Sequence, residues 1–392
     1  MLHRLRNLNV FSPAPLGSQN LLIAAGKIVA ISKDPIEIDE KLLSSDEDFD
    51  GKRLIPGLID GHAHITGGGG EAGFKTKVPA LHLSQYTKAG VTSVIGLLGT
   101  DDVTRNASSL IAQVYALREE GLSAWCYTGG YHLPLSTLTG SVRSDIVHID
   151  PVIGVGELAI SDHRSSQPTF DEIARIVGEA HVGGIMTGKA GIVHFHLGDG
   201  ERGLGLIEDL LRKTELPPRT LNPTHCNRNT ALFEQACSIT HTGITIDVTA
   251  FPKSDNKDEY SAAEAFKLYR DKNLDNSKFT VSSDGGGCIP HFDKQGELLH
   301  LDYGRCELLS ATLKELLDDG IPENEVLPAF TSNVATLLKL HQKGTIAVGN
   351  DADLVILDEN NTVDSVMALG QWHQKNKHTI KRGSFEKLEN RG

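Results

Sequence analysis

The residues best suited to chemistry begin with Asp60-Gly61-His62-Ala63-His64, which follows the apolar run Leu54-Ile55-Pro56-Gly57-Leu58-Ile59. On an extended strand, side chains at i and i+2 point the same way. His62 and His64 can therefore aim two imidazoles at one metal ion, while Ala63 faces the opposite layer. Two imidazoles do not complete a metal site, so further ligands must lie downstream. Ile65 and Thr66 then lead into four consecutive glycines, Gly67 to Gly70.

Positioning such a pair requires strands, and from Ile59 onward short apolar runs alternate with amphipathic stretches. Ile59–His64, Val91–Leu98, Ala124–Thr128, Val152–Glu157, Ile192–His196, Leu221–His225, Thr245–Thr249 and Phe279–Asp284 read as eight strands. Thr169-Phe170-Asp171-Glu172 and Ser261-Ala262-Ala263-Glu264 are capping boxes that open helices. After Arg105, Leu110, Ile111, Val114 and Leu117 recur at helical spacing and stop at Gly121. Helical segments are also expected around Ile207–Leu211 and Leu232–Cys237. Eight strands with intervening helices predict an α/β fold, a closed (β/α)8 TIM barrel. A doubly wound nucleotide-binding sheet is disfavoured, because no G-x-G-x-x-G follows the first strand and no phosphate loop occurs. The glycine run reads as a flexible loop at the barrel top.

Both ends of the chain look β-rich. Leu21–Ala25 and Lys27–Ile31 flank Gly26 as a hairpin, and Ser44–Asp50 reads as a solvated acidic loop. After helices over Cys306–Leu317 and Ser332–Leu340, strands are expected at Asp353–Leu357, Thr362–Met367 and near Thr379-Ile380-Lys381. Neither end can bury a good core alone. Residues 1–56 and 343–392 are therefore expected to form one small β-sandwich domain beside a barrel of residues 57–342.

In a barrel, the C-terminal ends of the strands converge on one mouth. His62 and His64 end the first strand, Glu157 the fourth, His196 the fifth, His225 the sixth and Asp284 the eighth. Four histidines and two carboxylates suit two borderline divalent ions, with Zn2+ the best match. Two ions sharing a water would lower its pKa and hold it beside a carbonyl. Singly, each residue has an ordinary alternative: a structural strand histidine for His196, a buried ion-pair partner for Glu157, a loop cap for Asp284. Jointly, a structural account needs several coincidences, each with its own buried polar group to satisfy.

These residues carry a resemblance. The DGHAH segment after Pro-Gly-Leu-Ile, the histidines on strands five and six, the strand-eight aspartate and Gly349-Asn350-Asp351-Ala352-Asp353-Leu354 resemble the amidohydrolase superfamily. Within it, nearly the whole length is similar to the isoaspartyl (β-aspartyl) dipeptidase family. The most specific segments are Gly67–Gly73, Gly96–Asp101, Ile160–Ser165 and Pro223–Asn229. The resemblance implies that His62 and His64 hold the more buried ion and His196 and His225 the second. The strand-four residue bridges the two, and Asp284 touches the first ion and shuttles the proton. The family usually bridges with a carboxylated lysine, where this chain has Glu157. A glutamate offers a similar bidentate carboxylate on a shorter arm; loss of the second ion is the alternative.

The resemblance further implies metal-dependent hydrolysis of the isopeptide bond of small β-aspartyl dipeptides. Glu71 suits the substrate ammonium, and Arg164 and Arg228 can clamp carboxylates bidentately. By resemblance, Arg228 and Thr100 contact the aspartyl part, Arg164 contacts the leaving residue, and Tyr131 polarises the scissile carbonyl. Cys288 stands where the family commonly has a serine near a substrate carboxylate, and a thiol is the weaker donor. A large homo-oligomer, an octamer, is implied as well. The rivals are another amidohydrolase, such as a cyclic amide or hydantoin hydrolase or an N-acyl amino acid deacylase, and a non-catalytic assembly protein on a decayed barrel.

Composition narrows the classes. The 392 residues suffice for one large and one smaller domain. A net charge of -13 argues against nucleic-acid or anionic-membrane binding. Met1-Leu2-His3-Arg4 leads into no apolar secretory segment, and no run is long enough to span a membrane. Five cysteines without C-x-x-C spacing argue against a disulfide scaffold and predict a reduced, cytoplasmic protein.

Overall fold

The strands arise where apolar and β-branched residues run together, and a computed structural model describes them for residues 1–251, 258–292 and 298–386. At the N-terminus lie β1 (Leu2–Phe11), β2 (Pro15–Ala24), β3 (Lys27–Ser32), β4 (Ser45–Asp48) and β5 (Arg53–Pro56). Next come β6 (Leu58–Ala63), β7 (Val91–Gly96), β8 (Ser123–Thr128), β9 (Val152–Ile160), β10 (Ile192–Leu197), β11 (Leu221–Thr224), β12 (Ile246–Thr249) and β13 (Phe279–Ser282). These match the eight expected strands to within a few residues and form the barrel. Strands β7, β9 and β10 are buried along their whole length, as parallel strands covered on both faces must be.

The intervening helices begin where their caps predict. Asn106 caps the helix Ala107–Glu119, whose Leu110, Ile111, Val114 and Leu117 are buried. Thr169 and Ser261 close the two expected capping boxes on the helices Phe170–Thr187 and Ala262–Asp271. The helices Gly205–Lys213 and Thr230–Ile239 fill the two remaining expected positions. Among the described residues no helix is long and apolar enough to cross a membrane.

Strands β6 to β11 make one continuous parallel sheet, and β12 and β13 a separate parallel pair. Side chains help to close the seams. Buried Asp247 on β12 accepts hydrogen bonds from Thr224 (2.7 Å), Thr280 (2.7 Å) and Ser282 (2.6 Å), tying β11, β12 and β13 together. Buried Asp60 on β6 accepts from the Ser283 amide at 3.0 Å and from its hydroxyl. Backbone bonds complete the second seam: Asp284 N–H donates to His62 O (3.1 Å) and His64 N–H to Gly285 O (2.7 Å).

Beyond the barrel follow the hairpin β14 (Cys288–Phe292) and β15 (Leu298–Tyr303) and the helix Glu307–Asp318. Then come β16 (Leu354–Leu357), β17 (Val363–Ala368), β18 (Gln371–Lys375) and β19 (His378–Thr379). The terminal strands join in one hydrogen-bonded path, β19-β18-β17-β16-β5-β1-β2-β3, with β4 beside β1. The expected sandwich is thus a single sheet whose two arms share a core of Leu21, Ile23 and Ile28 with Leu354, Ile356 and Met367. Its arms meet at Gly26, where an added Cβ would lie 3.0 Å from Leu369 O.

Two local expectations are corrected. Ser44–Asp50 is not merely a loop: Ser45–Asp48 is β4, parallel to β1, because Arg4 pairs with Asp46 at 2.6 Å and Arg6 with Asp48 at 3.1 Å. The Gly67–Gly70 run is closely packed, since a Cβ on Gly67 would lie 2.0 Å from Val78 O and one on Gly69 2.5 Å from Thr76 O.

Gly304 shows how tightly the eighth strand end is held: an added Cβ would sit 1.7 Å from Asp284 O. Gly304→Ala is expected to lower unfolding free energy by about 1–3 kcal/mol, the usual cost of overpacking, measured by urea denaturation.

Candidate active site

The strand ends bring His62, His64, Glu157, His196, His225 and Asp284 into one buried cluster. Ala63, between the two histidines of β6, packs into the apolar core on the other face. His225 and Asp284 take left-handed backbone (φ 59° and 51°), uncommon for residues with side chains and held by the surrounding structure.

Glu157 differs from its expected place, because β9 runs three residues beyond it, to Ile160. Opposite β10, Val155 pairs with Val193 but Leu158 with Phe195, so β9 carries an extra residue there. That bulge turns the Glu157 carboxylate into the mouth. Its Oε1 lies 3.4 Å from His64 Nε2, while Oε2 lies 2.9 Å from His196 Nδ1 and 3.4 Å from His225 Nε2. Oε2 also lies 3.8 Å from His62 Nε2, so this oxygen faces three imidazoles and Oε1 faces His64. Asp284 Oδ1 stands 3.1 Å from His64 Nε2 and 3.4 Å from His62 Nε2.

These contacts fit a cation. His62 Nε2 and Asp284 Oδ1 are buried without a hydrogen-bond partner, which natural structures rarely tolerate. Two overlapping sets, His62 with His64 and Asp284, and His62 with Glu157 and His225, have ligand atoms within 4.8 Å of one another. Burial opposes charge on His62, yet Glu157 and Asp284 outweigh it and push the imidazole up to about 9. Burial likewise opposes ionisation of Asp284, but His62 and His64 hold it well below the usual carboxylate range. The site attracts positive charge, and its nitrogen and oxygen donors are those of a borderline divalent ion.

The substrate-side residues lie around this cluster. Tyr131 OH is 2.6 Å from His196 Nε2 and 3.2 Å from Asp162 Oδ2, and burial holds its phenol well above the usual range. Arg164 is not a free clamp: its Nη2 and Nε donate to Asp162 at 2.7 and 3.1 Å. Its Nη1 faces Glu71 Oε1 at 3.8 Å, and the guanidinium lies 5.6 Å from the Tyr131 ring centre. Arg228 approaches from the β11 side, 3.8 Å from Asp199 and stacked 5.8 Å from the Phe251 ring centre. Thr100 follows Gly99, where a Cβ would sit 2.5 Å from His64 Cε1, so the loop passes close over the cluster. Cys288 packs beside Gly69; burial, with Glu71 and Asp284 nearby, pushes its thiol up to about 12.

Sequence reasoning missed Asp162, which binds His196 Nε2 at 3.0 Å as well as Arg164 and Tyr131. Its signal was present: a carboxylate two residues before Arg164, just after β9. It also missed Thr249, whose hydroxyl meets His225 Nδ1 at 2.7 Å. His194 was passed over too, although it lies two residues before His196 on the same face of β10.

An eight-stranded barrel whose strand ends gather such a His/Glu/Asp set has the architecture of a metal-assisted hydrolase. Residues 53–373 match the model of the amidohydrolase family, and the chain belongs to that family. A solved β-aspartyl dipeptidase from Fervidobacterium islandicum AW-1, in complex with β-Asp-Leu dipeptide, is 42% identical with 100% of both chains covered and a TM-score of 0.90. An allantoinase of Desulfitobacterium hafniense is 24% identical over 90% of this chain and 85% of its own length. A dihydropyrimidinase from Brevibacillus agri NCHU1002, 18% identical with a TM-score of 0.67, covers 99% of this chain and 100% of its own and shares the fold.

Asp162→Asn removes the charge that neutralises a largely buried guanidinium. It is expected to lower unfolding free energy by about 2–3 kcal/mol, below the cost of breaking a fully buried pair because the Arg164 side chain keeps 16% of its exposure. Urea denaturation of the two proteins measures it.

Proposed function

We propose that this protein hydrolyses the isopeptide bond of β-aspartyl dipeptides. The reading is carried by one juxtaposition: a metal-type donor cluster stands beside Glu71, Tyr131 and Arg164, with Arg228 across the mouth. The full-length likeness to a β-aspartyl dipeptidase solved with β-Asp-Leu supports it.

Two divalent ions, proposed as Zn2+, would be held by His62, His64 and Asp284 and by His196 and His225, with Glu157 between them. When bound, such ions supply Lewis acidity and lower the pKa of water. Asp284 Oδ1, buried and unpartnered, takes the proton of the attacking water and returns it to the leaving amine, acting as base and then acid. Tyr131 remains protonated and donates to the scissile carbonyl as negative charge develops there. Glu71 pairs with the free ammonium. Arg228 and Thr100 hold the aspartyl part, Arg164 the leaving residue, and Cys288 borders a substrate carboxylate.

Purified, Zn2+-loaded protein is expected to cleave β-Asp-Leu and leave α-Asp-Leu intact; no cleavage of the β-linked peptide, or preference for the α-linked one, refutes the reading. Cyclic-amide hydrolysis is the second reading, favoured by the allantoinase relative. Allantoin and hydantoin belong in the same assay, and turnover of either in place of β-Asp-Leu would select it. Glu157→Gln is expected to reduce bound Zn2+ from two ions per chain toward one, counted by elemental analysis, and to lower kcat by at least tenfold.

We also propose the domain division at residues 1–56, 57–342 and 343–392, of which 387–392 lie outside the described residues. A cytoplasmic location is supported by five free thiols, and a homo-octamer by the family resemblance alone.

A further inference from the structure

Behind the metal-type cluster runs a chain of four buried polar groups that ends on a backbone carbonyl. His62 Nδ1 is 2.9 Å from His194 Nε2, and His194 Nδ1 is 2.6 Å from Asn222 Oδ1. Asn222 Nδ2 lies 2.8 Å from Thr245 O. The chain crosses from β6 through β10 and β11 to the residue before β12.

Its polarity follows from the far end. A carbonyl oxygen only accepts, so the Asn222 amide must turn its NH2 toward Thr245 and its oxygen toward His194. That oxygen also only accepts, so His194 carries its hydrogen on Nδ1 and a lone pair on Nε2. His62 Nδ1 must then donate to that lone pair. When an ion takes the place of the proton that Glu157 and Asp284 otherwise favour on this ring, His62 with hydrogen on Nδ1 presents a lone pair on Nε2, the nitrogen buried without a partner beside Asp284 and Glu157. The ring of His194 is itself confined. It stacks on Tyr127 with centroids 5.2 Å apart at 29°, and a Cβ on Gly156 would lie 2.9 Å from His194 Cβ.

We propose that His194 is a positioning residue that locks His62 in the tautomer offering Nε2 to a divalent ion, with Asn222 and the Thr245 carbonyl setting the direction of the chain. The inference rests on the reading of His62 as a metal ligand. Partners behind ligating histidines typically alter metal affinity by about 10–100-fold.

The test uses chelator-stripped full-length wild-type, His194→Gln, His194→Met and Asn222→Ala proteins, titrated with Zn2+ against a competing chromophoric chelator. Thermal melting of each stripped protein reports folding. Gln keeps an acceptor for His62 and a donor for Asn222, whereas Met, of similar bulk, keeps neither. His194→Met is expected to weaken the tighter Zn2+ step by about 10–100-fold, and Asn222→Ala by at least about threefold, while His194→Gln stays within about threefold of wild type. Wild-type affinity in folded His194→Met overturns the proposal, as does a His194→Gln protein that melts normally yet binds as weakly as the Met variant. If His194→Met does not fold, wild-type affinity in Asn222→Ala overturns it. Wild-type protein that binds no Zn2+ overturns the underlying metal reading itself, a result distinct from these.

Discussion

The structure depends on keeping two carboxylates and four imidazoles buried and close together at one end of a barrel. Two further carboxylates are buried just beneath them, and the contrast is instructive. Asp60 and Asp247 sit among hydroxyl and amide donors that tie the seams; burial nonetheless dominates, pushing Asp60 up to about 6 and Asp247 above its ordinary value. At the mouth, Glu157 and Asp284 are as buried, but the imidazoles around them outweigh burial and hold both well below the usual range. The lower pair is satisfied by neutral donors within the fold. The upper pair is arranged for positive charge, which is what separates a site from a structural network here.

That cluster exists only because the barrel closes. The ladder runs continuously from β6 to β11, while the remaining joins rely on few backbone bonds, on Asp247 and on Asp60. The seam between β13 and β6 joins the backbones of His62 and His64 to those of Asp284 and Gly285, so the bonds that close the barrel also set the spacing of three proposed ligands. The sheet built from both termini meets the barrel at the base of β6: Gly57 N–H donates to Asp353 O at 2.8 Å, and Lys343 bonds Asp353 and Ser123 beneath. The ends of the chain thus brace the strand that carries the histidine pair.

The electrostatics of the mouth converge on Asp162, which touches His196, Tyr131 and Arg164 at once. It orients a ligand-type histidine, accepts from a buried phenol, and neutralises a cation that would otherwise be costly to bury. Under the proposed reading a substrate carboxylate would meet an arginine already paired and already stacked on Tyr131, whose side chain has little further freedom to lose.

Much of this was legible in the chain alone. The i, i+2 histidines, the eight apolar strand segments and the capping boxes are local patterns, and local patterns follow directly from backbone geometry. Because every barrel strand ends at the same mouth, locating the strands was enough to bring His62, His64, His196, His225 and Asp284 together. What sequence could not decide depended on register and on partners far along the chain. The bulge at Glu157 is a pairing offset against β10, invisible within β9 itself. The strand β4 forms because acidic residues meet Arg4 and Arg6 about forty positions earlier. Arg164 reads as a free clamp until folding sets Asp162 against it. The proposed tautomer of His62 turns on the Thr245 carbonyl, one residue before β12 and reached only through His194 and Asn222. Residue types and spacing determined which groups reach the mouth; tertiary structure decided which atoms they present there, because hydrogen-bond direction and strand register exist only once distant segments are in contact.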